Sequence, residues 1–549
     1  MKILSAAEMQ ACDRATTESF GIPSFDLMRH AAAAVATFAR ERFAKARRIT
    51  VLCGRGNNGG DGMMAARLLG GHGLHVTVML LGSPDGLAGD AAEAWRRLGD
   101  AGNCRLVVVE TEEQLQDHQA AFRADLIIDA VLGTGFKPPM RGLALAALQW
   151  VRDSDAPVLA VDLPSGWAAD EMKGDGDEQV YPADGVVTFT APKPAHVFGE
   201  LTRRWNQPVV VAPIGSPDEA MASSLDLYWA GTAQEIVQTP RPFDSNKGKY
   251  GHVLVIGGTF GSAGGKAGAP AMTAMAAMRA GAGLVTAAVP EPALPTVARF
   301  APELMTVPLE TNGLGEAQLS ADEEKRQALL KGMTVAAVGP GLGQGSGAEA
   351  ILEWLLNETI PLVIDADGLN VLAKSMELLG GVGGAGRTIV LTPHPGEMAR
   401  LAGISTAEVQ SDRLNVARDF AARYGVILVL KGAHTLIAHP SGRVAVNTTG
   451  NPGMAKGGSG DLLTGVIAGL LAQFPSDPER AVEAAVYIHG LAADFAVRAG
   501  DEHTLLATDT LSYFSNAFRF RSTRRNGYVW LQGLPADLTA AKSSSEAAE

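Results

Sequence analysis

A chain of 549 residues, 46% apolar and with 64 glycines, is too long for one core and too apolar for wholesale disorder, so several glycine-rich α/β domains are expected. A formal charge of −13 argues against nonspecific nucleic-acid binding and against docking on an acidic membrane surface. The three cysteines, Cys12, Cys53 and Cys104, form neither a zinc pattern nor a disulfide framework, which fits a reducing cytoplasm.

The opening "MKILSAAEMQACDRA" is not a signal peptide, because Glu8 and Asp13 interrupt any apolar stretch; it reads as a helix begun by a Ser5/Glu8 capping box. No uncharged apolar run reaches membrane-spanning length. The runs 48–54, 75–82, 124–133, 157–166 and 184–190 read as strands, and "DGMMAARLLGGHG" as a helix closed by glycine. Strand–helix alternation predicts a mostly parallel sheet covered on both faces. The pattern lapses over 216–234, which is taken as a linker. A second series follows at 252–258, 283–289, 334–341, 361–367, 388–394, 426–432 and 434–440. The stretch 521–549, ending "AAKSSSEAAE", is expected to be a flexible tail.

Chemistry concentrates in two glycine clusters. In "ITVLCGRGNNGGDG", Gly54, Gly56 and Gly59 have dinucleotide-fingerprint spacing between a strand and a helix. The next strand ends at Gly82 without an acidic residue for a ribose, so the cluster is either an unusual nucleotide site or a bare βα turn. Asn57, Asn58 and Asp61 favour a ligand at this helix start. Asp129 and Asp162 end later strands; with Asn58 and Ser165 they make an oxygen-rich set suited to a hard cation, although a strand-end Asp also serves as a turn residue.

The second cluster is "AKGGSGDLLTG". It is not a Walker loop, and neither is "FGSAGGKAG", with Phe260 where glycine belongs and Ala267 where Ser or Thr should stand. Gly457, Gly458 and Gly460 can turn backbone N–H groups toward an anion at a helix N-terminus. Asp461 is then a candidate base for a substrate hydroxyl during phosphoryl transfer, or only a residue favouring the helix dipole. Lys431 and Thr435 in "LKGAHT" suit nucleotide phosphates, His394 stands between prolines in "TPHPGE", and "IDADGLN" supplies Asp365, Asp367 and Asn370.

The motifs "GRGNNGGDG", "DAVLGTG", "VDLPSG", "KGKYGHVLVIGG", "GPGLG", "DADGLN", "TPHPGE", "KGAHT" and "GGSGD" occur in an order that resembles the bifunctional NAD(P)H-hydrate repair enzymes over about residues 1–515. The resemblance implies an α/β protein with an N-terminal Rossmann-like three-layer domain, an NAD(P)HX epimerase at 1–215, and a C-terminal ribokinase-like domain, an ADP/ATP-dependent NAD(P)HX dehydratase at 235–520. It implies that Asn57, Asn58, Gly59, Gly60, Asp61, Gly133, Thr134, Gly135, Phe136 and Asp162 hold the hydrated nucleotide, with Asp162 as acid/base, and that Asn58, Asp129 and Ser165 bind K+. In the second domain Ala269, Gly341, Gly343, His394 and Asp461 would face the hydrate, and Lys431, Gly432, Ala433, His434, Thr435 and Gly460 the nucleotide, carried with Mg2+. Asn246, Arg29, Ala32 and Lys456 depart from the family pattern. The expected partners are NADHX, NADPHX and ADP or ATP, with no nucleic acid and no membrane, in a cytoplasmic homo-oligomer. A small-metabolite kinase and a non-catalytic nucleotide-binding scaffold are the alternatives.

Overall fold

The structure is a computed structural model that describes residues 1–172, 179–262, 264–380 and 386–535. The chain divides into two compact units, Met1–Leu225 joined by the stretch beginning at Arg521, and Asp226–Phe520.

The first unit is a Rossmann-like sheet built from β1 (Arg48–Cys53), β2 (His75–Leu81), β3 (Arg105–Val109), β4 (Leu126–Ala130), β5 (Val158–Val161), β6 (Gly185–Phe189) and β7 (Val209–Ala212). Their order across the sheet is β7-β6-β5-β4-β1-β2-β3, all parallel. Nearly every residue of β1, β4, β5 and β6 is buried, as expected for strands covered on both faces. One face carries Leu52, Met79 and Ile127 under Leu148 and Val151 of helix Gly142–Arg152; helix Asn57–Gly71 lies against β1, β2 and β4. Chain progression reverses between β1 and β4, so the carboxyl ends of these strands frame a crevice. The N-terminal helix Ala6–Glu18 starts with the expected capping box, Ser5 with Glu8.

The C-terminal stretch corrects the sequence expectation. Val529–Gln532 is not tail but a strand, antiparallel to β7 at the sheet edge. Trp530 is buried with its ring 6.0 Å from that of Phe38, and the Tyr528 hydroxyl donates to Ala34 O at 3.1 Å. So short a run cannot announce a partner more than three hundred positions away. Residues 536–549 lie outside the described residues.

The second unit is a larger α/β sheet. Its strands are β8 (Leu227–Trp229), β9 (His252–Ile256), β10 (Phe260–Gly261), β11 (Gly264–Gly265), β12 (Leu284–Pro290), β13 (Met305–Thr311), β14 (Ala317–Gln318), β15 (Val335–Val338), β16 (Leu362–Ile364), β17 (Ile389–Leu391), β18 (Ile427–Leu430), β19 (Leu436–Ala438) and β20 (Val444–Val446). The main sheet runs β14-β13-β12-β9-β15-β16-β17-β18-β19-β20-β8, parallel from β13 to β18. Helix Ser459–Gln473 is buried from Leu462 to Ala472 and packs on helix Gly268–Arg279. Part of the expected linker belongs here: β8 pairs with β20, and Trp229, fully buried, donates from Nε1 to Thr448 Oγ1 at 2.9 Å. Among the described residues no helix is long and apolar enough to cross a membrane.

Candidate active sites

In the first unit a cavity of about 1040 Å³ opens over the β1/β4 crevice. Asn57, Asn58, Asp61, Gly133, Thr134, Gly135, Phe136 and Asp162 line it. Gly59 and Gly60 are buried and do not line it; a Cβ on Gly59 would lie 1.9 Å from Gly54 O, so glycine is required there for packing.

Asp162 follows β5 with φ +66°, a left-handed conformation that a non-glycine residue rarely adopts and that the surrounding bonds must hold. Its Oδ2 accepts from the amide of Thr134 at 2.9 Å and from the Thr134 hydroxyl. Its Oδ1 accepts from Thr188 Oγ1 and from the buried Lys193 ammonium, each at 2.9 Å. Burial opposes ionisation, but Lys193 and the hydrogen bonds outweigh it and hold Asp162 well below the usual carboxylate range. His196 completes the support. Its Nδ1 accepts from the Lys193 amide at 3.0 Å, which leaves the proton on Nε2 to donate to Asp162 O at 2.7 Å. Burial and the Lys193 charge push its pKa down to about 4, so the ring is neutral.

Asp129 and Ser165 sit below the cavity, fully buried. Asp129 accepts from Ser165 Oγ at 2.5 Å and from the Ser165 amide at 2.7 Å, while Leu132 N donates to Ser165 Oγ at 2.8 Å. Burial pushes Asp129 up to about 6 against these bonds. Both polar atoms of the Asn58 side chain are buried with no hydrogen-bond partner among the described residues.

In the second unit the site gathers at the carboxyl ends of β15 to β18. Lys431, after β18, donates to Asp365 Oδ1 at 2.9 Å and lies 3.7 Å from Glu397. Asp365 is fixed further by Thr392 Oγ1 and Thr464 Oγ1, each at 2.8 Å. Burial would discharge Lys431, but Asp365 and Glu397 outweigh it and raise its pKa. Asp461, in the first turn of helix Ser459–Gln473, is half-buried beside this network. Burial and then the Asp365 charge, opposed by Lys431, push it up to about 7. Gly458 precedes the helix at φ +97° and leaves the first-turn N–H groups without intrahelical partners. A Cβ on Gly460 would lie 3.4 Å from Lys431 Nζ, so the ammonium underlies this turn.

The other predicted residues fall around this centre. Gly341, at φ +66°, touches Ala269: a Cβ there would lie 3.4 Å from the Ala269 methyl. Gly343 N donates to Asp367 Oδ2 at 3.0 Å, and Lys266 pairs with the same oxygen at 3.0 Å. His394 caps helix Pro395–Ala402, its Nδ1 accepting from Gly396 N at 3.0 Å, and its Nε2 lies 3.4 Å from Glu397 Oε1. The 431–435 loop is held by Arg413, which donates to Ala433 O at 2.5 Å and to Leu430 O at 3.3 Å; within it Thr435 Oγ1 donates to Gly432 O. Burial and Arg413 push His434 down to about 4. The four departures have local partners or packing of their own. Arg29 pairs with Asp26 at 2.9 Å, Ala32 is buried, Asn246 accepts from Gly248 N, and Lys456 donates to His503 O at 2.6 Å. Sequence analysis set aside the glycine loop that carries Lys266 and missed Thr188, Lys193, His196 and Arg413. Of these four only Lys193 left a signal, a lysine between prolines after a strand in "TAPKP".

A family model described as YjeF-related protein N-terminus matches residues 24–195, and one described as NAD(P)H-hydrate dehydratase matches residues 253–515. The bifunctional NAD(P)H-hydrate repair enzyme Nnr of Moorella thermoacetica is 39% identical over 536 residues, covering 94% of this chain and 97% of that protein. The Coxiella burnetii enzyme of the same name is 38% identical over 506 residues, 91% of this chain and 96% of its own. A crystal structure of the ADP/ATP-dependent NAD(P)H-hydrate dehydratase from Bacillus subtilis, co-crystallized with ATP/Mg2+, is similar at 32% identity, covering 52% of this chain and 96% of that one, with a TM-score of 0.42. On a match that spans both units and nearly the full length of its relatives, this chain belongs to the bifunctional NAD(P)H-hydrate repair enzymes.

Proposed function

We propose that the chain repairs hydrated NADH and NADPH in two steps: the first unit interconverts the R and S epimers at C6, and the second dehydrates the S form at the expense of ADP or ATP, yielding AMP or ADP and phosphate. The observation that carries this reading is the contrast between two carboxylates. Asp162 is locked in its ionised form by Lys193, whereas Asp461, at about 7, can exchange a proton near neutral pH.

In the second unit Asp461 takes the proton of the C6 hydroxyl as that oxygen attacks the terminal phosphorus. The N–H groups of the Gly457–Gly460 turn, with Lys431 beneath, stabilise the charge on the transferring group. The ring nitrogen then expels phosphate from C6 as the N1=C6 bond forms, and loss of a proton from C5 to the surrounding water turns that cation into the C5=C6 double bond of the dihydropyridine. Lys431 to Thr435 and Gly460 face the nucleotide; Ala269, Gly341, Gly343 and His394 face the hydrate. Mg2+ carried in with the nucleotide would neutralise charge on its phosphates when bound.

In the first unit, residues 57–61 and 133–136 position the hydrate, and the fixed negative charge of Asp162 faces the ring cation formed when the hydroxyl departs. Asn58, Asp129 and Ser165 are the residues that would hold K+: the Asn58 oxygen is buried and unpartnered, and all three can offer hard oxygen donors. The cation would supply a positive charge beside buried Asp129. The proposed setting is a cytoplasmic homo-oligomer.

Incubation with NADHX and ADP tests the function. The expected result is NADH and phosphate in equal amounts. A stable phosphorylated product would indicate a small-metabolite kinase, and binding without turnover a scaffold.

A further inference from the structure

The first-unit cavity holds a carboxyl that none of the assignments above uses. On the N-terminal helix Ala6–Glu18, Met9, Cys12 and Thr16 are buried, and this rotation places Gln10, Asp13 and Thr17 along the cavity wall. The helix is pinned from outside: Glu8 accepts from the Ser224 amide at 2.6 Å and from Ser5 N at 2.8 Å. Asp13 is half-buried, and its Oδ1 is wholly buried without a hydrogen-bond partner among the described residues. A polar oxygen in that state costs stability unless something entering the cavity uses the group.

Its neighbours define its state. Lys193 faces it but is paired with Asp162; Asp162 repels it, and Arg14 offers partial compensation. Burial and Asp162 raise its pKa despite the two cations. Asp61, which lines the same cavity, is pushed well above the usual range by burial, by Asp162, by Asp13 and by Asp90. The cavity therefore combines one carboxylate held ionised by Lys193 with carboxyls whose burial favours the protonated form, an arrangement suited to an acid beside an electrostatic stabiliser.

The geometry points to Asp13 as a catalytic acid of the epimerisation, donating the proton that the departing C6 hydroxyl requires. This rests on the reading of the cavity as the epimerase site. As the nitrogen lone pair forms the N1=C6 bond, the C6–O bond breaks and the Asp13 proton passes to that oxygen, so that water leaves and Asp13 becomes a carboxylate. The cationic ring faces Asp162. Water then adds to the opposite face of C6, the N1=C6 pair returns to nitrogen, and the surplus proton returns to Asp13 through the water of the cavity. Protons and electrons balance, and no co-reactant is needed.

The test uses the full chain and purified S epimer of NADHX without nucleotide, so that dehydration cannot proceed, and follows the appearance of the R epimer. Asp13→Asn is expected to lower kcat for interconversion by at least about 10²-fold with KM unchanged. Asp13→Glu should regain part of the rate, and dehydration of the S epimer with ADP should match the parent. Interconversion by Asp13→Asn within about threefold of the parent, or a raised KM with kcat retained, overturns the proposal. If the parent chain itself fails to accelerate interconversion, the reading of the cavity fails instead.

Discussion

Asp461 and Asp162 are both aspartates at glycine-rich turns, yet their surroundings prepare them for different work. Asp461 must be ionised to accept a proton. Because burial and Asp365 hold it near 7, dehydration should rise about tenfold per pH unit below that value and level above it. Asp461→Asn should lower dehydration by about 10²–10⁴-fold, abolish this pH profile and leave epimerisation unchanged; near-parental NADH formation by this variant would reduce Asp461 to a helix-dipole residue. In the first unit, Asp162→Ala should stop interconversion at any potassium concentration, whereas Asp129→Ala should weaken it in a way that added potassium partly restores. The same response from both variants would place Asp162 in the cation site. Both aspartates were legible because each ends a strand or starts a helix beside glycines. The pairing of Lys193 and His196 with Asp162 was not, because they meet it only through the fold, 31 and 34 positions on; the place of Lys193 between prolines hints at a role but not at its partner.

At the scale of elements, the glycines of the second cluster are unequal. Gly458 needs its positive φ, and a Cβ there would meet Met272 Sδ at 2.9 Å; Gly457 has nothing within 4 Å. Gly458→Ala should therefore cost about 1–3 kcal/mol and misdirect the first-turn N–H groups. Gly457→Ala should be nearly silent. Melting temperature and dehydration rate together check this pair, and equal effects would mean that the turn does not depend on the left-handed residue. The sequence pattern located this turn and the strands leading into both sites, because long apolar runs in parallel sheets are conspicuous. It did not show the edges. Leu227–Trp229 fell inside an expected linker and Val529–Gln532 inside an expected tail, since edge strands of three or four residues take their stability from a distant partner, not from their own periodicity.

For the whole molecule, these edges decide where the chain can be divided. Asp226–Phe520 expressed alone should dehydrate the S epimer with ADP. Residues 1–225 alone leave β7 without its antiparallel neighbour and Phe38 without Trp530, so this fragment should melt lower than the first unit of the full chain and tend to associate through the open edge. A peptide spanning 521–535 should restore it; no effect of the peptide would mean that the strand adds nothing to the unit. The central claim, that one chain serves both epimers of one damaged nucleotide, is tested most directly by the recovery of NADH from an equal mixture of R and S NADHX with excess ADP, measured for the parent and for Asp162→Ala. Complete recovery at the enzymatic rate is expected for the parent, and for the variant rapid recovery of the S half followed by the remainder at the spontaneous epimerisation rate. Identical progress curves for the two proteins would contradict it.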